Sequence, residues 1–176
     1  MGRNIWLVVA TCLALSGCSR AESWTFSSGK DPMTDAPFAE ATTESTNETG
    51  RLAIACSGAG DRPRLLIEAR SRMGGGRDEL NFVERVLRYR FDDGPIQDTL
   101  GTIGDHFVGF EKTARGEPRD AAIIAGIVTA KTLAIETVDA GGDAHQFVFD
   151  VRGAKSALQK VTKHCGAANQ ITDRSA

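Results

Sequence analysis

The sequence predicts an α+β fold: a mostly antiparallel sheet of six or more strands with two helices packed on it, held by one disulfide. Two observations carry the fold class. Short runs between Arg51 and Val151 alternate apolar and polar residues at the period of a strand, with Gly-, Asp- and Pro-containing turns between them. Two further stretches, after Pro118 and after Gly153, space their apolar residues at the helical period instead.

Taken in order, Ser19 to Asn47 is polar, rich in Ser, Thr, Asp and Glu, and contains Pro32 and Pro37. It reads as a tether, with Ser23-Trp24-Thr25-Phe26-Ser27 as a candidate first strand. Asp31-Pro32-Met33-Thr34-Asp35 reads as a turn, because Pro fixes φ and Asp side chains bond nearby amides. Arg51 to Cys56 places Leu52, Ile54 and Cys56 on one face and Arg51, Ala53 and Ala55 on the other. Ser57-Gly58-Ala59-Gly60-Asp61 turns the chain into a hairpin partner, Pro63 to Arg70, and Met73-Gly74-Gly75-Gly76-Arg77 is a loop. Val83 to Phe91 is the clearest strand, with Leu87, Tyr89 and Phe91 facing the core and Arg88 and Arg90 facing out. Asp92-Asp93-Gly94-Pro95 is a turn, and His106 to Glu111 is a further strand.

Glu117-Pro118-Arg119-Asp120 opens the first helix, with Pro118 in a tolerated first-turn position and Asp120 complementing the dipole. Ile123, Ile124, Ile127 and Val128 supply its apolar residues. A hairpin around Ala140-Gly141-Gly142-Asp143 follows, carrying Leu133 and Ile135 on one arm and Phe147, Phe149 and Val151 on the other. Gly153 stops that strand. The last helix aligns Ala154, Ala157, Leu158, Val161 and Cys165 on one stripe. The chain therefore divides into a leader (1–17), a polar tether (18–47), one α+β domain (48–166) and a polar tail (167–176).

The leader has its own logic. Arg3 precedes an uncharged apolar run, Ile5 to Leu15, far shorter than the roughly 20 residues that span a bilayer. Leu15-Ser16-Gly17-Cys18 then resembles the lipobox of bacterial lipoproteins. Small residues at 16 and 17 let an extended backbone enter a peptidase, and the Cys18 thiol is the nucleophile that accepts a diacylglyceryl group. The resemblance implies cleavage after Gly17, a lipid on Cys18 and a membrane as the first partner. Ser19 is not the Asp that enterobacterial lipoproteins use for inner-membrane retention, so the implied address is the periplasmic face of the outer membrane.

Cleavage leaves 176 − 17 = 159 residues, enough for one core. Removing Arg3 leaves 20 basic against 23 acidic residues, a balance without an electrostatic footprint for nucleic acid. Cys12 goes with the leader and Cys18 is acylated, leaving Cys56 and Cys165. An even pair in an oxidising compartment reads as a disulfide, with two separate buried thiols as the alternative.

Trp24, the Asp-Pro-Met-Thr-Asp turn, a strand ending in Cys56, the Tyr89-Arg90-Phe91-Asp92 run and a terminal helix ending in Cys165 occur in one order. This order resembles the periplasmic type VI secretion-associated proteins of the TagO/VasI kind, although no Trp follows the final Cys. The resemblance supports the fold and the bridge, and it implies a secretion-system accessory.

No catalytic constellation is legible. His106, His145 and His164 are scattered without a His-x-x-x-His spacing, and neither Gly-x-Ser-x-Gly nor Ser-x-x-Lys occurs. The Asp31/Asp35 and Asp92/Asp93/Asp98 groups lack the alternate spacing of a calcium loop and read as turn residues, so no metal and no cofactor is expected. Arg70, Arg88 and Arg90 form a candidate binding surface for an acidic group. The expected function is a non-catalytic binding or assembly module with an envelope protein as partner. The alternative is an inhibitor of a cell-wall hydrolase, similar to the lipoproteins that inhibit lysozyme.

Overall fold

The computed structural model describes residues 23–47, 49–73, 83–110, 118–139 and 141–166. The expected leader and lipobox with Cys18, most of the expected Met73–Arg77 loop, Glu117 and the expected polar tail lie outside the described residues.

In chain order the elements are β1 (Thr25–Lys30), β2 (Pro37–Glu44), β3 (Gly50–Cys56), β4 (Arg64–Ala69), β5 (Val83–Phe91), β6 (Gln97–Ile103) and β7 (Phe107–Gly109). They continue with α1 (Ala121–Ile127), β8 (Thr132–Val138), β9 (Ala144–Asp150) and α2 (Ala154–Cys165). The fold is α+β. The strands form one nine-stranded sheet in the order β1-β2-β3-β4-β7-β6-β5-β8-β9, with antiparallel pairing throughout.

The sheet coils until its β9 edge meets the chain just past β2. Ser45 bridges Phe149, and the Thr46 amide donates to the Val148 carbonyl at 2.6 Å. Asn47 Nδ2 donates to the Gln146 carbonyl at 2.9 Å, so side chains also satisfy part of the β9 edge. Coiling gives the sheet an inner and an outer face. Leu52, Ile54, Leu65, Ile67, Leu87, Leu133, Ile135, Phe147 and Phe149 are buried together inside, joined by Ile123, Ile124 and Ile127 of α1. Burying side chains of this kind contributes about 1.5–3 kcal/mol each, which is what holds the sheet closed.

α2 lies across β2 and β3. Ala157, Val161 and Cys165 form a second buried cluster with Ala39, Ala41 and Cys56, and Trp24 packs against both clusters. Gly153 (φ 90°) turns the chain into this helix and Gly166 (φ 66°) ends it, conformations that Gly adopts without a Cβ penalty. Cys56 and Cys165 form a disulfide with Cα atoms 6.5 Å apart, as expected for a strand face and a helix stripe that both point inward.

Three expectations need correction. The domain does not start at residue 48, because β1 and β2 lie within the segment read as a tether. β2 escapes a composition argument because its inner face is Ala39, Ala41 and Thr43, small residues that make room for α2. β6 was not foreseen, since Gln97-Asp98-Thr99 opens it with polar residues and Gly101 interrupts its alternation. That glycine is needed: a Cβ there would collide with the Leu87 side chain and the Gly109 carbonyl. The strand expected from His106 to Glu111 is only Phe107–Gly109.

Candidate binding surface

β5 alternates as its sequence predicts. Leu87 and Tyr89 are buried, Phe91 is half-buried, and Arg88 and Arg90 are exposed on the outer face. Register places Arg88 between Asp98 of β6 and Glu136 of β8, and its guanidinium pairs with Glu136. Arg90 stands beside Ala134 of β8. Arg70, just past β4, is also exposed, but β7 and β6 separate its strand from β5. The three arginines share the outer face without forming one patch.

Arg70 belongs instead to a shallow outer groove of about 260 Å³, lined by Glu44, Gly50, Arg51, Glu68, Ala69 and Arg70. Cross-strand register builds it, with Glu44 opposite Arg51 and Arg51 opposite Glu68. Arg51 Nη2 donates to Glu68 at 2.6 Å, and Arg70 Nη2 donates to Glu44 at 3.0 Å. The hydrogen bond to Glu68 pushes the Arg51 pKa up. Both pairs are about half exposed, so each contributes only about 0–1 kcal/mol. What they supply is placement: two cations and two anions held on β2, β3, β4 and the residue just past β4, open to solvent.

The acidic groups weighed as metal ligands are used by the backbone. Asp31 Oδ1 accepts from the Met33 and Thr34 amides and the Thr34 hydroxyl, which lowers its pKa and fixes the β1–β2 turn. Asp92 Oδ1 accepts from the amides of Lys131 and Thr132, and its pKa is lowered for the same reason. No group of three or more His, Cys, Asp or Glu side chains suited to a metal ion occurs among the described residues.

Two buried polar pairs escaped the sequence. Asp120 occupies the N-cap position of α1 without capping it; its carboxylate turns to the sheet, pairs with Arg62 and accepts the Leu65 amide at 2.9 Å. This replaces the dipole role expected for it. His145 Nε2 lies 2.9 Å from Asp139 Oδ2, with both side chains largely covered. The β8–β9 hairpin joins them, and Asp139 also accepts the Asp143 amide at 2.9 Å. Hydrogen bonding from His145 leads the effects that lower the Asp139 pKa. The pair locks a hairpin turn rather than lining a cleft. His164 Nε2 lies 3.4 Å from the Gly29 carbonyl, and His106 is exposed.

Among the described residues no helix is long and apolar enough to cross a membrane. No family model, no curated protein and no solved structure matches this chain.

Proposed function

We propose that this protein is a lipid-anchored, non-catalytic binding module on the periplasmic face of the outer membrane, recognising an envelope protein with the outer face of its sheet. The observation that carries the reading is the outer groove of Glu44, Arg51, Glu68 and Arg70. Its charged groups are held in place by cross-strand neighbours, so a partner meets them already ordered and loses less entropy on binding. The inner face is filled by the chain's own aliphatic and aromatic side chains. Arg88 and Arg90 offer a second outward contact on β5. The order of Trp24, Cys56, Tyr89 to Asp92 and Cys165 favours a secretion-system accessory within this class.

Two measurements test the reading. Cys18→Ser should abolish metabolic labelling with a fatty acid; a labelled Cys18→Ser protein rules the anchor out. A photo-crosslinking residue placed at Arg70, and separately at Arg88, should trap the same envelope protein from living cells. Trapping at neither position removes the proposed surface.

One observation favours a second reading, inhibition of a wall hydrolase. Met33 is 90% exposed at the tip of the β1–β2 turn, which Asp31 braces from within. A braced protruding side chain suits insertion into an enzyme cleft. Lysozyme inhibition by the mature protein, lost in Met33→Ser, would select this reading over the first.

A further inference from the structure

The folded domain begins much closer to the proposed lipid than composition implies. A tether running to residue 47 would reach about 100 Å when extended. Yet Ser23 Oγ already donates to the Asp150 carbonyl at 3.2 Å, Trp24 packs against both buried clusters, and Thr25 opens β1 opposite Thr42. From Cys18 to Ser23 the count is 23 − 18 = 5 residues, which span at most about 18 Å. A domain of this length has a radius of gyration of about 15 Å and is therefore roughly 35–40 Å across. The leash is thus about half the width of the body it holds.

The leash also leaves the domain at a definite place. Ser23 sits at the seam where β9 meets the chain past β2. Outward along that seam stand Thr25 on β1, Thr42 on β2, and Gln146 and Val148 on β9, with Glu40 and the exposed Glu44 on β2 and the Asp150–Arg152 ion pair at the end of β9. Glu68, Arg88 and Arg90 belong to strands that do not border the seam, whereas Arg51 on β3 neighbours β2 and Arg70 reaches Glu44. β6 and β7 lie farthest from it in the strand order.

We infer that the seam of β1, β2 and β9 is a membrane-facing surface, held against the leaflet that carries the lipid on Cys18, with the β6–β7 wall turned to the periplasm. The inference rests on the anchor reading. It deepens the proposed function, because a partner must then come to within one domain width of the bilayer.

The test uses the lipidated protein purified from envelopes and placed in phosphatidylethanolamine–phosphatidylglycerol vesicles containing nitroxide-labelled lipid. Bimane is attached at Thr25→Cys, Gln146→Cys or Asp98→Cys, the last on β6. Quenching at Thr25→Cys and Gln146→Cys, with none at Asp98→Cys, is the expected result. Equal quenching at all three positions, or the strongest at Asp98→Cys, overturns the inference. Inserting a long Gly/Ser segment between Arg20 and Ala21 should keep the vesicle association but remove the quenching at Thr25→Cys. Quenching that survives the insertion overturns the leash as its cause. A protein without acyl mass that fails to join vesicles defeats the anchor reading itself, which mass spectrometry distinguishes from a misoriented domain.

Discussion

Asp120 and Arg62, 58 residues apart in sequence, form an ion pair whose carboxylate is wholly buried. The second oxygen of that carboxylate accepts the Leu65 amide, so one side chain ties the start of α1 to the start of β4. Its guanidinium partner is about one-third exposed and keeps contact with water.

Removing this carboxylate strands a buried amide and a cation that is about two-thirds covered. Asp120→Ala should cost about 2–4 kcal/mol, on the scale of buried charge-assisted hydrogen bonds. Arg62→Ala should cost as much or more, because it leaves the buried anion with the Leu65 amide and, as its nearby cation, Arg64, 3.6 Å away and about half exposed. Urea unfolding of both variants checks the order. A loss below about 0.5 kcal/mol in each would remove the latch.

The disulfide joins residues 109 positions apart and fixes the end of α2 to β3. Cys56→Ala and Cys165→Ala should each destabilise by about 2–5 kcal/mol, and the double variant should cost little more than either single one. Intact-mass measurement of the unreduced protein should show Cys56 and Cys165 protected from alkylation.

Gly126 illustrates two opposed effects at one position. Glycine in a helix is about 1 kcal/mol worse than alanine, so propensity alone predicts stabilisation. A Cβ here would run into the Phe91 ring, which lies across this turn of α1. Overpacking of that kind costs about 1–3 kcal/mol, and Gly126→Ala should be destabilising on balance. Combining it with Phe91→Leu should recover part of the loss in thermal denaturation.

Asp139 should give the β8–β9 hairpin an acid limit. Its folded pKa is lowered, first by the hydrogen bond from His145, against an unfolded value of about 3.9. A lowered carboxylate pKa stabilises the fold fully above the unfolded value, and that contribution is lost as pH falls through the folded one. The stability difference between wild type and Asp139→Asn should therefore be largest at neutral pH and shrink below about pH 4. A gap that grows on acidification would contradict the assignment.

Much of the fold was written in local patterns. The alternation of Leu87, Arg88, Tyr89 and Arg90 assigns β5 and both its faces, because a strand sends successive side chains to opposite sides. The stripe from Ala154 to Cys165 likewise defines α2 and points Cys165 inward, toward the face that carries Cys56. The proposed leader and lipobox, Leu15-Ser16-Gly17-Cys18, are likewise local readings, since a lipoprotein peptidase would act on extended chain rather than on a fold.

Tertiary structure decided what depends on register and closure. β2 shows little hydrophobicity because Ala39 and Ala41 need only fit beneath α2, so its membership in the sheet follows from packing. The pairs Asp120–Arg62 and Asp139–His145 exist because loops and hairpins bring distant or offset residues together, a proximity that spacing along the chain does not encode. Arg70 and Arg88 look alike in the sequence, yet strand order parts them and gives Arg70 to the groove with Glu44, Arg51 and Glu68. Composition could mark Ser19 to Asn47 as polar; only hydrogen bonding between strands reveals that about half of it is sheet, because backbone pairing is satisfied by neighbours rather than by side-chain type.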